Sequence, residues 1–436
     1  MESNGRGQPP ALILGGVENA LSVTRSLGRR GVPVRVAASF HSAAIHSRYC
    51  TAAYPAPQGP SRADFWEDLL LGGGHPELNG SVVLPCDDFA IEFMASRREE
   101  LARRYLVGDH VPSQQRALLD KQETLRMARE NGIPAPLRWR VSRVADIDAL
   151  EGKFDFPVLI KPIHSHRFQR VYRRKLLVSE DFGDLRLHVS DALSRGLDIM
   201  VCELIPGPDT LLSSYYTYID RDEQHLFHFT KRVIRRSPRN FGGASYHVTE
   251  WMPETAEMGQ RFFRGIGFRG LGNIEFKRDP RDGRLKVIEV NARFTAAQEL
   301  LLRSGMDIAW IIYNHMIGKE VPRVEAYRAD LRMWYPLRDL AAFRELRARG
   351  ELSAAGWLRS IAHPQVLPFF SVTDPVPALA ELRRMLNKRV LKKGYGDRNR
   401  AHETSGRTTG RIERGTARAG VRSTTQEAVQ DHGTGA

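Results

Sequence analysis

Two short segments carry the residue types best suited to metal and phosphate chemistry: Asn273-Ile274-Glu275-Phe276-Lys277 and Leu285-Lys286-Val287-Ile288-Glu289-Val290-Asn291. A turn rich in Asp, Pro and Gly joins them, and both read as strands. Side chains alternate across a strand, so Ile274, Phe276, Ile288 and Val290 should face a core while Glu275, Glu289 and Asn291 share the other face. Opposed across the ribbon, the two glutamates would stand about 5 Å apart at Cβ. Carboxylates that close repel unless a cation or a proton lies between them. Two carboxylates and an amide oxygen form a hard-oxygen set suited to Mg2+ that phosphates also hold. Arg293 follows on the same face, where it could grip a phosphoryl or carboxylate oxygen through two N–H groups. An amphipathic hairpin with one wet face explains the same alternation, so the choice rests on what the rest of the chain supplies.

The elements that would position such a site come earlier. Ala11–Leu14, a helix over 19–30 and a strand over 32–38 resemble the first unit of a doubly wound sheet. The intervening turn, GGVENA, lacks the dinucleotide fingerprint, so a tight turn and a ligand contact both remain open. Val82–Leu84 is a buried strand that delivers Asp87 and Asp88 to its carboxyl end. Ligands favour that edge, but an acid opening a helix also complements its dipole. Asp87 admits both readings, and Asp88 suits the second better. A helix over 113–131, opened by Ser113, contains Leu118-Leu119-Asp120-Lys121. Pro157–Pro162 is an apolar strand that ends on Lys161, and an ammonium placed there needs an anion. The basic loop His164–Arg170 follows. Ile199–Ile205 is a strand broken by Pro206-Gly207, with Asp209 beyond, and 215–219 pairs with 225–233 as antiparallel strands.

Composition narrows the functional classes. The chain has 436 residues, enough for two or three domains, and 42% apolar content, ordinary for a globular protein. No run of about 18 apolar residues suggests a membrane span, and the first residues lack the apolar stretch of a secretory signal. Three widely spaced cysteines, Cys50, Cys86 and Cys202, point to reduced thiols in a cytoplasm. The net charge of +14 clusters at 167–175, 231–239 and 388–393. Such a balance suits a polyanionic ligand. The clusters lack interleaved aromatic platforms, which argues against nucleic acid.

Taken together, Asp120-Lys121, Ile160-Lys161-Pro162, Glu203-Leu204-Ile205-Pro206-Gly207, Asn273-Ile274-Glu275-Phe276 and Ile288-Glu289-Val290-Asn291-Ala292-Arg293 resemble, in order and spacing, the motifs of the ATP-grasp superfamily over roughly residues 11–320. The resemblance implies a mixed α/β and α+β chain. A Rossmann-like domain would span 11–111, and an ATP-grasp domain of two α+β subdomains enclosing ATP would span 112–320. A helical extension over 321–393 would follow, with disordered ends at 1–10 and 394–436. It further implies that Lys121 and Lys161 contact nucleotide phosphates. Glu203, Leu204 and Ile205 would form the hinge that reads the adenine edge, through backbone and carboxylate. Asp209 would meet the ribose, and Glu275, Glu289 and Asn291 would ligate Mg2+, with Mn2+ as a substitute. Arg293 would stand near the transferred phosphoryl, with Lys231 or Arg232 adding a further contact. The family's Gly-rich phosphate loop is replaced here by His164–Arg170, so His166 and Arg167 either close over the triphosphate or lie on an exposed basic loop.

The opening GGVENALSVTRSLGRRGVPV and the segment KRVIRRSPRNFGGASY resemble the carboxylate–amine ligase branch that includes D-aspartate ligase. That likeness implies a cytoplasmic ATP-dependent ligase with small-molecule carboxylate and amine substrates and no membrane partner, and leaves a homodimer open. The alternatives are other chemistry on the same fold, carboxylation or kinase-like transfer, and nucleotide binding without catalysis.

Overall fold

Apolar runs without alternation build the first sheet. Ala11–Leu14 (β1), Val34–Ala37 (β2), Cys50–Ala53 (β3), Val82–Pro85 (β4) and Leu106–Val107 (β5) are all parallel, in the order β3-β2-β1-β4-β5. β1 and β4 are buried at every position, as central strands covered on both faces must be. The computed structural model describes residues 8–386 except 60, 154, 164–167, 169, 170, 173, 175, 322, 323 and 325. The chain divides into a large unit, Met1–Leu382, and a second, Arg383–Ala436. All the sheets belong to the first. The expected disordered tail lies outside the described residues, as do residues 1–7. Residues 8–10 do not fit the expected disorder, because the Pro10 carbonyl accepts from Val82 N and the Pro9 carbonyl from Tyr313 OH.

The turn after β1 is tight because another strand end crowds it. Gly15 and Gly16 have φ of +71° and +79°, and a Cβ on Gly15 would collide with the Asp87 carboxylate. Asp87 is committed to structure. It caps the helix Asp88–Ser96 by accepting from Ala90 N, accepts from Gly16 N, and pairs with Arg62 at 2.8 Å.

The second sheet joins Arg138–Val141 (β6), Val158–Pro162 (β7), Leu177–Ser179 (β8) and Ile199–Glu203 (β9) in the antiparallel order β6-β9-β7-β8. Val158, Ile160, Ile199 and Val201 pack on the helix Phe182–Ser194, opposite a face that carries Leu159, Lys161, Met200 and Cys202.

The third sheet holds seven strands: Leu212–Ile219 (β10), Phe229–Ser237 (β11), Gly243–Thr249 (β12), Gly270–Arg278 (β13), Leu285–Asn291 (β14), Arg332–Trp334 (β15) and Gln365–Val366 (β16). Their order is β14-β13-β10-β11-β12-β15-β16. On one face Tyr215, Ile274, Phe276, Val287 and Val290 pack against Phe262 and Phe263 of the helix Pro253–Gly265. Each such fully buried side chain contributes roughly 1.5–3 kcal/mol. On the other face Tyr216, Tyr218 and Leu271 join the core of the first sheet through Phe294, Ala297 and Leu300.

Three expectations need correction. The helix over 113–131 is two helices, Pro112–Leu119 and Lys121–Glu130. Asp120 is extended (φ −85°, ψ 114°) and caps the second by accepting from Gln122 N and Glu123 N. Ile288 does not face the core. A bulge pairs Phe276 with Val287 instead, so Val287 takes the buried place and Ile288 turns half out. The region beyond 320 is helical at Pro336–Ala348 and Ala354–Ile361, but it also supplies β15 and β16 to the sheet.

Two buried charge networks fix that last region. Asp339, fully buried, takes hydrogen bonds from Arg235, Ser245, Trp334 and Trp357. Arg25, fully buried in the first helix, donates to the Asp374 carboxylate at 2.9 Å and to the carbonyls of Phe369 and Asp374. Ser47 and Arg48 N also donate to Asp374. Among the described residues no helix is long and apolar enough to cross a membrane.

Candidate active site

One row of register partners crosses the third sheet on the face away from the helix Pro253–Gly265. Glu289 pairs with Glu275, Glu275 with Ser214, Ser214 with Lys231, and Lys231 with Thr249. Neighbouring strands are about 4.8 Å apart, so the row sets two carboxylates next to each other and an ammonium two strands away. Neither glutamate is hydrogen-bonded or ion-paired among the described residues, whereas Lys231 is buried and donates to Ser214 Oγ at 3.0 Å. Burial lowers the Lys231 pKa, with Arg236 acting in the same direction and Glu275 opposing them. One row along, Asn291 lies opposite Asn273, and its amide nitrogen is 3.4 Å from Asn273 Oδ1. Asn291 shares the face of the two glutamates, so its side-chain oxygen is the third candidate donor.

No group of three or more His, Cys, Asp or Glu among the described residues would enclose a metal alone. Glu275, Glu289 and Asn291 make a partial oxygen set instead. This is the donor pattern for Mg2+, which keeps several waters and takes one or two carboxylates plus phosphate oxygens.

Arg293, just past β14, donates from Nε to Asp88 Oδ1 at 2.5 Å. Burial works against its charge, but Asp88, Glu289 and Asp87 more than offset that and raise its pKa. Asp88 is therefore more than a first-turn acid: it ties the first sheet's carboxyl edge to the residue expected at the phosphoryl group. Its place after β4 was the only sequence signal.

Lys121 and Lys161 meet the Glu289 end of this row across a cleft of about 700 Å³, open to solvent. Asp88, Met200, Cys202, Ile288, Glu289 and Asn291 line it with them. Asp120 ends one helix and starts the next, which sets Lys121 at a helix N-terminus, where peptide dipoles also favour anions. Lys161 shares its sheet face with Leu159, Met200 and Cys202. With Leu204, Val178 and Phe241 these form a small apolar patch that a flat base could cover.

Several predicted residues are used otherwise. The Glu203 carboxylate is not open to a base edge. It accepts from Leu137 N at 2.9 Å and pairs with Arg281, while Lys286 stands 3.9 Å away. Arg281 and Lys286 draw it inward together with fully buried Asp279. The Ile205 carbonyl takes Lys277 Nζ at 2.9 Å, and of the three residues expected at the hinge Leu204 packs against the patch. Asp209 is turned inward. It accepts from Asn240 N, and burial raises its pKa while Arg236 and Lys277 oppose that. Arg232 alternates to the other face from Lys231 and pairs with Glu250 at 2.8 Å, which removes it from the site. His166 and Arg167 lie outside the described residues.

No family model matches the chain. It is 23% identical over 238 residues to D-aspartate ligase from Enterococcus faecium (strain Aus0004), an alignment covering 52% of this chain and 56% of that protein. The chain thus spans little more than half the length of the curated relative it matches. Among solved structures it resembles the biotin carboxylase domain of Hydrogenobacter thermophilus 2-oxoglutarate carboxylase, a complex with MgADP, ADP and bicarbonate. The TM-score is 0.57 and the identity 17%, over 75% of this chain and 74% of that one. It also resembles an L-amino acid ligase from Bacillus licheniformis (TM-score 0.52, 17% identity, 71% and 75% covered). A third likeness is to N5-carboxyaminoimidazole synthetase from Staphylococcus aureus (TM-score 0.56, 13% identity, 76% and 83% covered). At these identities the structural likeness concerns the fold.

Proposed function

We propose, for a chain whose fold is that of the ATP-grasp superfamily, an ATP-dependent ligase that activates a substrate carboxylate as an acyl phosphate and joins it to an amine. The observation that carries this reading is the row Glu289–Glu275–Ser214–Lys231, whose Glu289 end lines the cleft that holds Lys121, Lys161 and Asn291. Mg2+ would be held by Glu275, Glu289 and Asn291, and when bound it offsets charge on the nucleotide phosphates. Lys121 and Lys161 neutralise the triphosphate from the other wall. Lys231 and Arg293 would offset the negative charge that grows on the phosphoryl in flight, so positioning and electrostatics do the work.

A carboxylate oxygen of the substrate attacks the γ-phosphorus, the bond to the β,γ-bridging oxygen breaks, and ADP leaves. The amine nitrogen then attacks the acyl carbon, loses a proton, and expels inorganic phosphate. No protein nucleophile is required. Both small-molecule substrates are proposals, as is a cytoplasmic setting, which the free thiols of Cys50, Cys86 and Cys202 suit.

The test is release of ADP and phosphate from Mg-ATP across a panel of acids and amines. Release that needs both an acid and an amine, with an amide product, supports ligation. Release driven by bicarbonate in place of the acid would move the assignment to carboxylation. Mg-ATP that neither binds nor turns over would remove the reading.

A further inference from the structure

Beyond Lys231, on the same face, lies a cluster that the reaction above leaves unused. His247 is two residues from Thr249 on β12, in register with Val233 and Met333, and so shares the face of Lys231 and Glu275. It is 4% exposed, and neither ring nitrogen has a hydrogen-bond partner among the described residues. A buried imidazole with two idle nitrogens needs an explanation. Burial, with Lys231, Arg338 and Arg236, holds its pKa well below the usual value. The ring is therefore neutral, with one N–H to give and one lone pair to receive.

One of the cations around it, Arg236, is aimed there by a backbone irregularity. The ladder between β11 and β12 slips between Val233 and Arg235, and again between Arg235 and Arg236. A bulge of this kind re-aims the side chains beyond it. Arg235 turns to Asp339, while the charge of Arg236 is felt by Lys231, His247, Asp209 and Lys277. Arg236 Nε is buried with no partner among the described residues, and its Nη1 reaches only the Asn240 carbonyl, at 3.4 Å. Arg338 lies over the Tyr335 ring at 4.4 Å and donates to the Ala244 carbonyl, and the Tyr335 and His247 rings are 6.2 Å apart.

The nearby acids do not balance these charges. Asp209 is bonded to Asn240 N, Glu275 stands beyond Ser214, and Glu18 faces the Tyr335 hydroxyl at 3.4 Å. Three cations and an unpaired imidazole thus border one patch, and among the described residues no carboxylate is bonded to any of them. Groups so arranged keep their charges where an anion completes the set.

We infer that His247, Arg236 and Arg338 form a subsite for a second anionic group, carboxylate or phosphate, on the acid whose carboxylate is activated beside Lys231. The inference rests on the ligase reading for the first carboxylate, but the subsite's own binding is separately measurable. The substrate class is then an acid with two anionic groups. The free ring nitrogens of His247 add a donor and an acceptor that distinguish the second group from an apolar side chain.

The test uses the full chain with Mg2+ and a non-hydrolysable ATP analogue, and equilibrium dialysis of labelled probes. Succinate and both enantiomers of aspartate are the carboxylate arm, phosphoglycolate the phosphate arm, and acetate and alanine the controls. Dianionic probes should bind at least tenfold more tightly than the controls, with the better arm naming the group. Arg236→Gln and His247→Gln should erase that preference while affinity for the nucleotide stays within twofold. Arg338→Gln, at a half-exposed position, serves if either of these variants fails to fold. Equal binding of controls and dianions overturns the subsite, as do folded variants that keep the preference. A parallel assay with hydroxylamine traps acyl phosphate as a hydroxamate. Probes that bind but yield no hydroxamate would count against the ligase reading and leave the subsite standing.

Discussion

Glu289→Gln should move two quantities in opposite directions. Glu275 and Glu289 are register partners, so their side chains leave the sheet about 5 Å apart. Two like charges at that distance repel by about 3 kcal/mol at an effective dielectric of ~20, and by under ~1 kcal/mol in bulk water. Glu289 is exposed, which puts the pair near the lower figure. Lys231 and Arg293 offset part of what remains, since each lies close enough to feel one of the two carboxylates. An amide at 289 removes the repulsion, so without metal the variant should be more stable by about 0.5 kcal/mol, a rise of roughly 1–2 °C in melting temperature. The same change takes one of two carboxylates from the proposed metal set, and Mg-ATP affinity should fall at least tenfold, about 1.4 kcal/mol. At 100 times the wild-type Kd, Mg-ATP stabilises the wild type by about 2.7 kcal/mol and the variant by about 1.4 kcal/mol or less. Denaturant unfolding with EDTA, and again with saturating Mg-ATP, reads both. A variant that is weaker without metal, or that gains as much from Mg-ATP as the wild type, would refute the reasoning.

The two basic neighbours on β11 should separate cleanly: Lys231→Met is expected to cut turnover at least 100-fold, and Arg232→Gln less than twofold, because the latter guanidinium lies on the other face with Glu250. Similar losses from both would reject that division. Hydrogen bonds from Arg281 and Lys286, against the upward pull of burial, hold the Asp279 carboxyl well below the usual carboxylate range. Its contribution is therefore complete above the unfolded pKa of about 3.9 and lost as pH falls below it. Asp279→Asn should cost about 3 kcal/mol at pH 7 and progressively less below pH ~4; urea unfolding that shows the same difference from pH 7 to pH 3 contradicts this. Asp339→Asn leaves buried Arg235 with no counter-charge and should cost about 3–5 kcal/mol, read in the same assay, where a loss under ~1 kcal/mol would mean the network is not coupled.

The hairpin was legible because its alternation is strong. Glu275, Glu289 and Asn291 required only period-two counting and a turn. Ile288 was misassigned because a bulge changes the count without leaving a mark in composition. The same blindness hid Arg236 and His247. Five of nine residues from Lys231 to Arg239 are basic, and only the slipped ladder decides which of them face the site. The strands at Arg332–Trp334 and Gln365–Val366 are too short to carry a pattern and are set by tertiary pairing. Glu203 was read for its position at a strand end, but its use depends on Arg281 and Lys286, 78 and 83 residues further on.

Arg25 and Asp374 are 349 residues apart in the chain yet buried against each other. On a ribosome adding roughly 5–20 residues per second, the guanidinium is made some 17–70 s before its carboxylate. Until Asp374 is made, the Arg25 guanidinium lacks the carboxylate that it is buried against in the finished fold. Its final packing waits on a segment made 349 residues later.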